Sequence, residues 1–272
     1  MYIYIHLCNI SYHLESGRQS TPGFVVRGFL PSAGRAMLRS APLIAGVAAV
    51  AVGAAWWWSR RQQPPLRLAV LLSGSGTTLQ NILDRIADGT LRGVEVTIVV
   101  SSRKDAGGIG RAERAGVPVK VIESRAYRKA AEKTIDWVAH SSAINACIRE
   151  AGGVDLVVLA GFMCFYHQEK GYENRVINVH PALLPKHGGQ GMYGDHVHAA
   201  VLAAKETRSG CTVHFVDDRG YDKGPIILQK EVSVNAASDT VEDLRNRVQA
   251  AEKKALIEAI ASLRDGGVKL GV

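Results

Sequence analysis

The chain has 272 residues, of which 47% are hydrophobic and 21% are charged, and its formal net charge is +8. These values are ordinary for a globular α/β protein. Because the lysines and arginines are spread along the chain and are not interleaved with aromatic residues, the pattern argues against a nucleic-acid-binding protein. It suits an acidic small molecule, such as a phosphate or a polyglutamate, as the ligand.

The cysteine pattern predicts neither a disulfide framework nor a metal site. The four cysteines lie far apart, form no CxxC pair and have no histidine at zinc-ligand spacing: Cys8, Cys147, Cys164 and Cys211. We therefore expect reduced, structural thiols in a reducing compartment.

Residues 1–66 differ in composition from the rest of the chain. Glu15 is their only acidic residue, whereas they contain six arginines. Residues 41–58 are uncharged and apolar, just long enough to span a bilayer, and they end in tryptophans followed by two arginines. Three interpretations stay open: a chloroplast or mitochondrial targeting segment, a single-span membrane anchor, or an upstream extension with no structural role and a translation start at Met37 or later. Membrane contact is expected only through residues 41–58.

A linker follows this segment. Gln62-Gln63-Pro64-Pro65 has the composition of a connection between domains. We therefore predict an N-terminal extension over residues 1–66 and a main domain over residues 67–265.

In the main domain, predicted strands and helices alternate. Apolar runs predict strands over 68–72, 94–100, 117–122 and 154–160, then a fifth strand carrying Asn178 and His180; helices are predicted over 79–87, 107–115 and 127–150. After Pro185 we expect a mobile glycine-rich loop over 187–194 and then antiparallel strands over 211–216 and 226–234. A final helix is predicted over 241–263, and it starts at a Thr240–Asp243 capping box. This order predicts an α/β fold with a doubly wound, mostly parallel sheet, an antiparallel C-terminal extension and a final helix.

The segment Ser73–Leu79 (SGSGTTL) lies where the first strand passes into the first helix. Its glycines let the backbone approach a ligand, and a helix N-terminus supplies free N–H groups and the positive end of a dipole. The hydroxyls of Thr77 and Thr78 add donors. The third glycine of a dinucleotide fingerprint and the Walker lysine are both absent, so the loop predicts a site for one phosphate group and argues against NAD or ATP. The alternative is an ordinary strand-to-helix turn.

Asn178 and His180 are separated by one residue, so on a strand they point to the same face. An amide donor beside an imidazole can stabilise a developing oxyanion and move a proton. Asp222 lies in a tight turn from which it can reach His180 and fix its tautomer. The alternatives are a buried polar pair before a proline-rich turn, and a purely turn-forming aspartate. His214 is predicted to be structural.

Five segments, taken in order, resemble the phosphoribosylglycinamide formyltransferases (glycinamide ribonucleotide transformylases) over about residues 67–263. They are SGSGTTL at Ser73, AGFM at Ala160, NVHPALLP at Asn178, HFVDDRGYDKGPIILQ at His214, and the final helix. The HPxLLP pattern is shared with methionyl-tRNA formyltransferase and formyltetrahydrofolate deformylase. The phosphate loop separates these families, because only an acceptor with a 5′-phosphate needs it.

The resemblance implies a Rossmann-like formyltransferase fold and an activity. The enzyme would transfer a formyl group from 10-formyltetrahydrofolate, a cosubstrate, to the amine of 5′-phosphoribosylglycinamide in purine (IMP) biosynthesis, with no metal. Asn178 would hold the formyl oxygen, His180 would stabilise the oxyanion or carry protons, and Asp222 would orient His180 and a water. The positions matching phosphate and ribonucleotide contacts are Gly76, Thr77, Thr78 and Glu252, and those beside the folate are Met163, Cys164, Phe165 and Asn178.

Departures from the family pattern leave some roles open. Cys164 stands where many members of the family carry arginine or another residue, so the contacts to the pterin there are left open. The loop containing His196 and His198 is longer in glycine than in some members, and residues 1–66 have no counterpart. A methionyl-tRNA formyltransferase is expected to add a C-terminal domain, and the deformylase an N-terminal regulatory domain. A catalytically silent, membrane-tethered ligand-binding module is the alternative from another class, and the three retained catalytic-type residues argue against it. The sequence does not predict an oligomeric state.

Overall fold

The computed structural model describes residues 64–129, 134–217 and 219–268, together with two short strands, β1 (His6–Leu7) and β2 (Ile10–Ser11), which pair antiparallel. The chain divides into two compact units, Met1–Arg60 and Arg61–Val272. The apolar segment over 41–58 lies outside the described residues, so its targeting or anchoring role stays a prediction. Within the described segments, no helix is both long and apolar enough to cross a membrane.

The larger unit alternates strands and helices, as predicted. Its elements are β3 (Leu66–Leu72), α1 (Thr77–Ala87), β4 (Val94–Ser101), α2 (Gly108–Arg114), β5 (Val119–Val121), a 3-10 turn (Ser124–Tyr127), β6 (Arg128–Lys129), β7 (Thr134–Ile135), α3 (Trp137–Glu150), β8 (Leu156–Leu159), β9 (Val176–His180), α4 (Asp195–Ala203), β10 (Arg208–Phe215), β11 (Ile226–Ser233) and α5 (Val241–Arg264).

The main sheet has seven strands in the order β11-β10-β9-β8-β3-β4-β5. Strands β9, β8, β3, β4 and β5 are parallel, and β10 pairs antiparallel with both β9 and β11. The predicted mostly parallel sheet with an antiparallel extension is therefore confirmed. The strand order reverses between β3 and β8, and in open α/β sheets the crevice at such a reversal, outside the carboxyl ends of the strands, is the usual binding site.

The central strand β3 is buried on both faces of the sheet. Leu68, Val70 and Leu72 belong to a core cluster that includes residues of α1 and α5, whereas Ala69 and Leu71 belong to a second cluster with residues of α3. Because both faces of a central parallel strand are covered, its sequence is a continuous apolar run. This accounts for the uninterrupted LAVLL pattern that precedes the glycine loop.

The predicted helix over 127–150 was wrong in its first third. The structure has the 3-10 turn and the short strands β6 and β7 in this region, and α3 begins only at Trp137. The carboxylate of Asp136 accepts a hydrogen bond from the Ala139 N–H at 3.0 Å, which caps the helix there. A side-chain cap therefore determines the start of α3 more strongly than the helical pattern before it.

Candidate active site

A cleft of about 740 Å³ opens at the carboxyl ends of β8 and β9, on the side of the sheet where the strand order reverses. Its walls come from the first turn of α1, the loop after β8, the end of β9, the glycine-rich loop, the turn before β11 and one face of α5. The lining includes eight residues singled out by the sequence: Thr78, Met163, Cys164, Phe165, Asn178, His180, Asp222 and Glu252. The fold thus gathers residues that are far apart in sequence.

Strand pairing places Asn178 and His180 beside a third polar residue. Both line the cleft, as alternation along β9 predicts, and Asn178 lies directly opposite His214 in the antiparallel β9–β10 register. The Asn178 Nδ2 atom lies 3.3 Å from Nε2 of His214, and Nδ1 of His214 lies 2.8 Å from the Phe215 carbonyl. A carbonyl only accepts, so Nδ1 of His214 carries a hydrogen, and its Nε2 atom faces the Asn178 amide.

Asp222 lies between two imidazoles. Its Oδ2 atom is 3.4 Å from Nδ1 of His180, and its Oδ1 atom is 3.5 Å from Nε2 of His214. The backbone of Asp222 has a φ of 57°, a conformation that aspartate tolerates better than most residues, and Oδ2 also accepts the Gly189 N–H at 3.0 Å. The turn before β11 therefore delivers the carboxylate to the end of β9.

The electrostatics of this group favour a charged carboxylate next to an imidazole. Burial opposes ionisation of Asp222, but the hydrogen bond with His214, the charge of His180 and the Gly189 N–H together hold the pKa of the carboxyl below its usual value. Burial lowers the pKa of His180, although Asp222 and the His187 carbonyl oppose this shift. Asp222 is thus an anion at neutral pH, and His180 can gain or lose a proton beside it.

The glycine loop forms the N-terminus of α1. Gly76 is the N-cap residue with a φ of 73°, and a Cβ there would lie 2.4 Å from Cα of Gly108 in α2, so only glycine fits. No side chain caps α1 and its first turn has no acidic residue, which leaves its first N–H groups available to an anion. Thr78 lines the cleft, whereas Thr77 is exposed and Gly76 is buried against α2.

An arginine that the sequence had not singled out lies against this loop. The Nε atom of Arg111 donates to the Ser75 carbonyl at 2.9 Å, and its Nη1 atom donates to Gln80 at 3.2 Å. A guanidinium beside a helix N-terminus adds positive charge at the same place as the helix dipole. The arrangement can hold one phosphate-like anion.

Helix α5 contributes a partly buried carboxylate to the opposite wall. The helix begins at the predicted capping box, in which Thr240 Oγ1 accepts the Asp243 N–H at 3.1 Å and Asp243 Oδ2 accepts the Thr240 N–H at 3.0 Å. Glu252 lies on the cleft side, and burial raises its pKa to about 7. Among the described residues, its carboxylate has no hydrogen-bond or ion-pair partner, so it is available to a ligand.

The loop after β8 provides an apolar and aromatic wall. Met163 is exposed, and the Phe165 ring packs edge-on against Tyr221 with centroids 4.9 Å apart. The Met163 N–H donates to Ser73 Oγ at 2.9 Å, which ties this loop to the end of β3. A flat apolar ring would fit this surface. Cys164 also lines it.

Sequence reasoning missed parts of the site. His214 was predicted to be structural, yet it contacts both Asn178 and Asp222. His198 is buried and lines the cleft with an unpaired Nδ1 atom, whereas His196 packs against Tyr193. The position of His214 opposite Asn178 is what indicates its place in the site. That position depends on the β9–β10 register, which is known only from the folded chain.

The described residues form neither a metal-binding cluster nor a disulfide. Over residues 64–129, 134–217 and 219–268, no group of three or more His, Cys, Asp or Glu side chains is arranged to hold a metal ion. The cysteines that the structure describes, Cys147, Cys164 and Cys211, are free thiols.

Comparisons with known proteins agree on one family. The family model described as formyl transferase matches residues 66–260. The chloroplastic phosphoribosylglycinamide formyltransferase of Arabidopsis thaliana is 37% identical over 205 residues, which cover 75% of this chain and 67% of that protein. The trifunctional purine biosynthetic protein adenosine-3 of Bos taurus is 37% identical over 207 residues, but these cover only 19% of that longer protein and 75% of this chain.

Solved structures give the same result. Glycinamide ribonucleotide transformylase 1 from Symbiobacterium toebii superposes with a TM-score of 0.66 at 39% identity, covering 76% of this chain and 91% of that one. Phosphoribosylglycinamide formyltransferase from Coxiella burnetii does so with a TM-score of 0.64 at 36% identity, covering 74% and 88%. The chain therefore belongs to the formyl transferase family.

Proposed function

We propose that this protein transfers the formyl group of 10-formyltetrahydrofolate to the amine of 5′-phosphoribosylglycinamide, a step of purine biosynthesis. One observation carries the proposal: a single cleft joins the Asn178–His180–Asp222 group to the free N-terminus of α1 and to the unpaired Glu252 carboxylate. Formyl chemistry needs the first part, and a phosphorylated acceptor needs the others. Relatives that are named for this activity match 75% and 76% of the chain.

The acceptor binds with its phosphate at the N-terminus of α1. There the first-turn N–H groups and the hydroxyls of Thr77 and Thr78 donate to the phosphate oxygens, and the Gly76 turn lets the backbone come close. The Arg111 guanidinium, held next to Ser75, adds charge complementarity. Glu252 accepts hydrogen bonds from the ribonucleotide. These bonds replace the hydrogen bonds to water that the carboxylate loses when it is buried.

The formyl donor binds along the wall formed by Met163, Cys164 and Phe165, with Tyr221 beyond them. An exposed thioether and an edge-on aromatic pair offer a soft apolar surface for the pterin ring. With the pterin ring on this wall, the formyl carbon lies next to the end of β9, beside Asn178.

The reaction begins when the acceptor amine attacks the formyl carbon. A C–N bond forms, the carbonyl π electrons move onto oxygen, and the amine nitrogen becomes positively charged. The Asn178 amide and the protonated His180 stabilise the oxyanion, and Asp222 stabilises the imidazolium. The oxyanion then collapses to a carbonyl and the bond between carbon and the folate nitrogen breaks. The protonated His180 gives its proton to the folate nitrogen, and the His180–Asp222 pair takes up the proton that the amine nitrogen releases. The products are the formylated ribonucleotide and tetrahydrofolate, and positioned proton transfer of this kind contributes about 10²–10⁴-fold in rate.

An acceptor comparison tests the proposal. The purified chain is assayed with 10-formyltetrahydrofolate and 5′-phosphoribosylglycinamide, with the dephosphorylated acceptor, or with no acceptor. We expect no formylated product without an acceptor, and for the dephosphorylated acceptor a KM at least about a hundredfold higher than for the phosphorylated one. Formate release at the same rate with and without acceptor would mean that water is the true acceptor and would contradict a transferase.

We also propose that residues 1–66 direct the chain to an organelle. The support is their arginine-rich, acid-poor composition, together with the chloroplastic relative. Fluorescent fusions of the full chain and of residues 61–272 test this. We expect organellar signal only from the full chain, whereas recovery of the full chain in an alkali-resistant membrane fraction would support an anchor instead.

A further inference from the structure

One short turn contacts both members of the His180–Asp222 pair. The backbone carbonyl of His187 lies 2.8 Å from Nε2 of His180, and the Gly189 N–H donates to Oδ2 of Asp222 at 3.0 Å. His180 is buried, and Asp222 is partly buried. The turn therefore gives the pair one acceptor and one donor, both from the backbone, inside a region with little access to water.

The carbonyl of His187 reaches His180 from an unusual backbone conformation. His187 has a φ of 53°, in the left-handed region that excludes β-branched residues and accepts glycine, asparagine and, less readily, histidine. Its imidazole Nε2 lies 3.5 Å from Oε1 of Glu206, which also accepts from Nζ of Lys186 at 3.0 Å. The His187 ring thus lies beside the Glu206 carboxylate, while the backbone carbonyl of His187 faces His180.

This contact decides which ring nitrogen of His180 carries the permanent hydrogen. The His187 carbonyl and the Asp222 carboxylate both only accept, and the carbonyl at 2.8 Å is the closer of the two, so Nε2 carries the hydrogen in the neutral ring. Nδ1 then faces Oδ2 of Asp222 at 3.4 Å. In the neutral ring, the lone pair of Nδ1 faces the carboxylate. In the imidazolium, Nδ1 carries a hydrogen and the contact becomes a charge-assisted N–H···O bond. The exchangeable proton is therefore at Nδ1, on the Asp222 side.

We propose that His187 is a positioning residue: its carbonyl, held in the left-handed conformation, keeps hydrogen on Nε2 of His180 and so directs proton exchange to Nδ1 and Asp222. The contribution comes from the backbone of His187 and not from its imidazole. The tautomer stands independently of any reaction, whereas the kinetic consequence rests on the proposed formyl transfer.

Nitrogen NMR of the full chain with ¹⁵N-labelled histidine reads the tautomer directly. The His180 signals are identified by their loss in His180→Gln. We expect the neutral ring of the wild-type protein to be the Nε2–H tautomer. A neutral Nδ1–H ring in the wild-type protein would overturn the proposal without any variant at residue 187.

Two variants test the role of the backbone. His187→Val cannot adopt the left-handed conformation easily, so we expect mixed tautomers and a fall in kcat of about a hundredfold with KM changed less than threefold. His187→Gly keeps the conformation, so we expect the Nε2–H tautomer and a kcat at least ten times that of His187→Val. Equal tautomer populations and equal kcat in the two variants would refute the proposal.

A matched control separates positioning from strain. Asn174 has a φ of 54° and is exposed, and it lies before β9 outside the cleft lining. Asn174→Val therefore introduces the same backbone conflict without touching His180, and we expect lower stability with an unchanged His180 tautomer. A tautomer change in Asn174→Val as large as in His187→Val would assign the effect to general destabilisation. If no variant or wild-type protein transfers formyl groups, the proposed function fails while the NMR result still decides the tautomer.

Discussion

Asp222 lies between the imidazoles of His180 and His214, and this position makes it the most sensitive residue of the site. We expect Asp222→Asn to lower kcat by about 10²–10⁴-fold, because the neutral amide of the new asparagine cannot stabilise the His180 imidazolium or accept its proton. Asparagine tolerates the φ of 57°, so the turn should persist and the ribonucleotide Kd should change less than threefold. Steady-state kinetics and calorimetric titration measure both quantities.

Asp105→Asn is the matched control for this substitution. Asp105 is an exposed carboxylate paired with Arg103, and it lies outside the cleft lining. Its variant should keep the wild-type kcat. An Asp222→Asn protein with unchanged kcat would remove Asp222 from the proposed mechanism.

Glu252 makes stability depend on pH. Burial raises its pKa from 4.5 in the unfolded chain to about 7, so the folded protein favours the protonated form. The contribution of Glu252 to the free energy of unfolding is fully present below pH 4.5. It is lost as the pH rises from 4.5 through about 7. Because Glu252 lies partly open to the cleft, we expect Glu252→Gln to be more stable than the wild-type protein by about 2 kcal/mol at pH 8 and by nearly nothing at pH 4.5.

Denaturant unfolding at pH 4.5, 6 and 8 measures this difference. Glu258→Gln is the comparison, since Glu258 lies on the same helix but is exposed and paired with Lys230 at the surface. A surface ion pair contributes little, so its variant should not reproduce the pH trend. A constant difference between Glu252→Gln and the wild-type protein at all three pH values would mean that the pKa is not raised.

At the scale of elements, the Gly76 turn connects packing with anion binding. In Gly76→Ala, the new Cβ meets the Gly108 backbone at 2.4 Å and the φ of 73° becomes unfavourable. We expect a loss of about 3 kcal/mol in the free energy of unfolding. Because the N-terminus of α1 must shift, the KM for the phosphorylated acceptor should rise roughly tenfold, measured in the same formyl-transfer assay.

Gly74→Ala is the control for this turn. A Cβ at Gly74 meets no atom within 4 Å, and its backbone is outside the left-handed region. We expect its stability to change by less than about 0.5 kcal/mol. Equal effects of the two substitutions would show that the approach of Gly76 to α2 is unimportant.

The elements themselves were largely predictable, because their signals are local. The continuous apolar run of β3, the glycine loop after it and the capping box of α5 each lie within a few residues and appear in the structure as predicted. The start of α3 was wrong because a helical pattern from Tyr127 was outweighed by the Asp136 cap and by the short β6–β7 pair. Whether such a segment forms a helix or short strands depends on its contacts with the rest of the fold, and a local sequence pattern does not contain these contacts.

At the scale of the whole molecule, residues 66–268 form both core clusters found in the part of the chain that the structure describes. A domain of this size buries enough apolar surface to fold without further segments. We therefore expect residues 61–272 to unfold in one cooperative transition at the Tm of the full chain, with kcat/KM within threefold. Calorimetry and the formyl-transfer assay check this, and a truncated chain that is folded but inactive would assign residues 1–60 a part in the reaction.

The sequence by itself determined the α/β alternation and the place of the glycine loop, and it singled out Asn178, His180 and Asp222, because periodicity and short motifs are properties of neighbouring residues. Only the tertiary structure decided which of these residues meet. The antiparallel register of β9 and β10 puts His214 next to Asn178, the left-handed turn at His187 reaches His180, and packing of α5 buries Glu252. These contacts join distant parts of the chain, so they arise from strand order and packing, which no local pattern encodes.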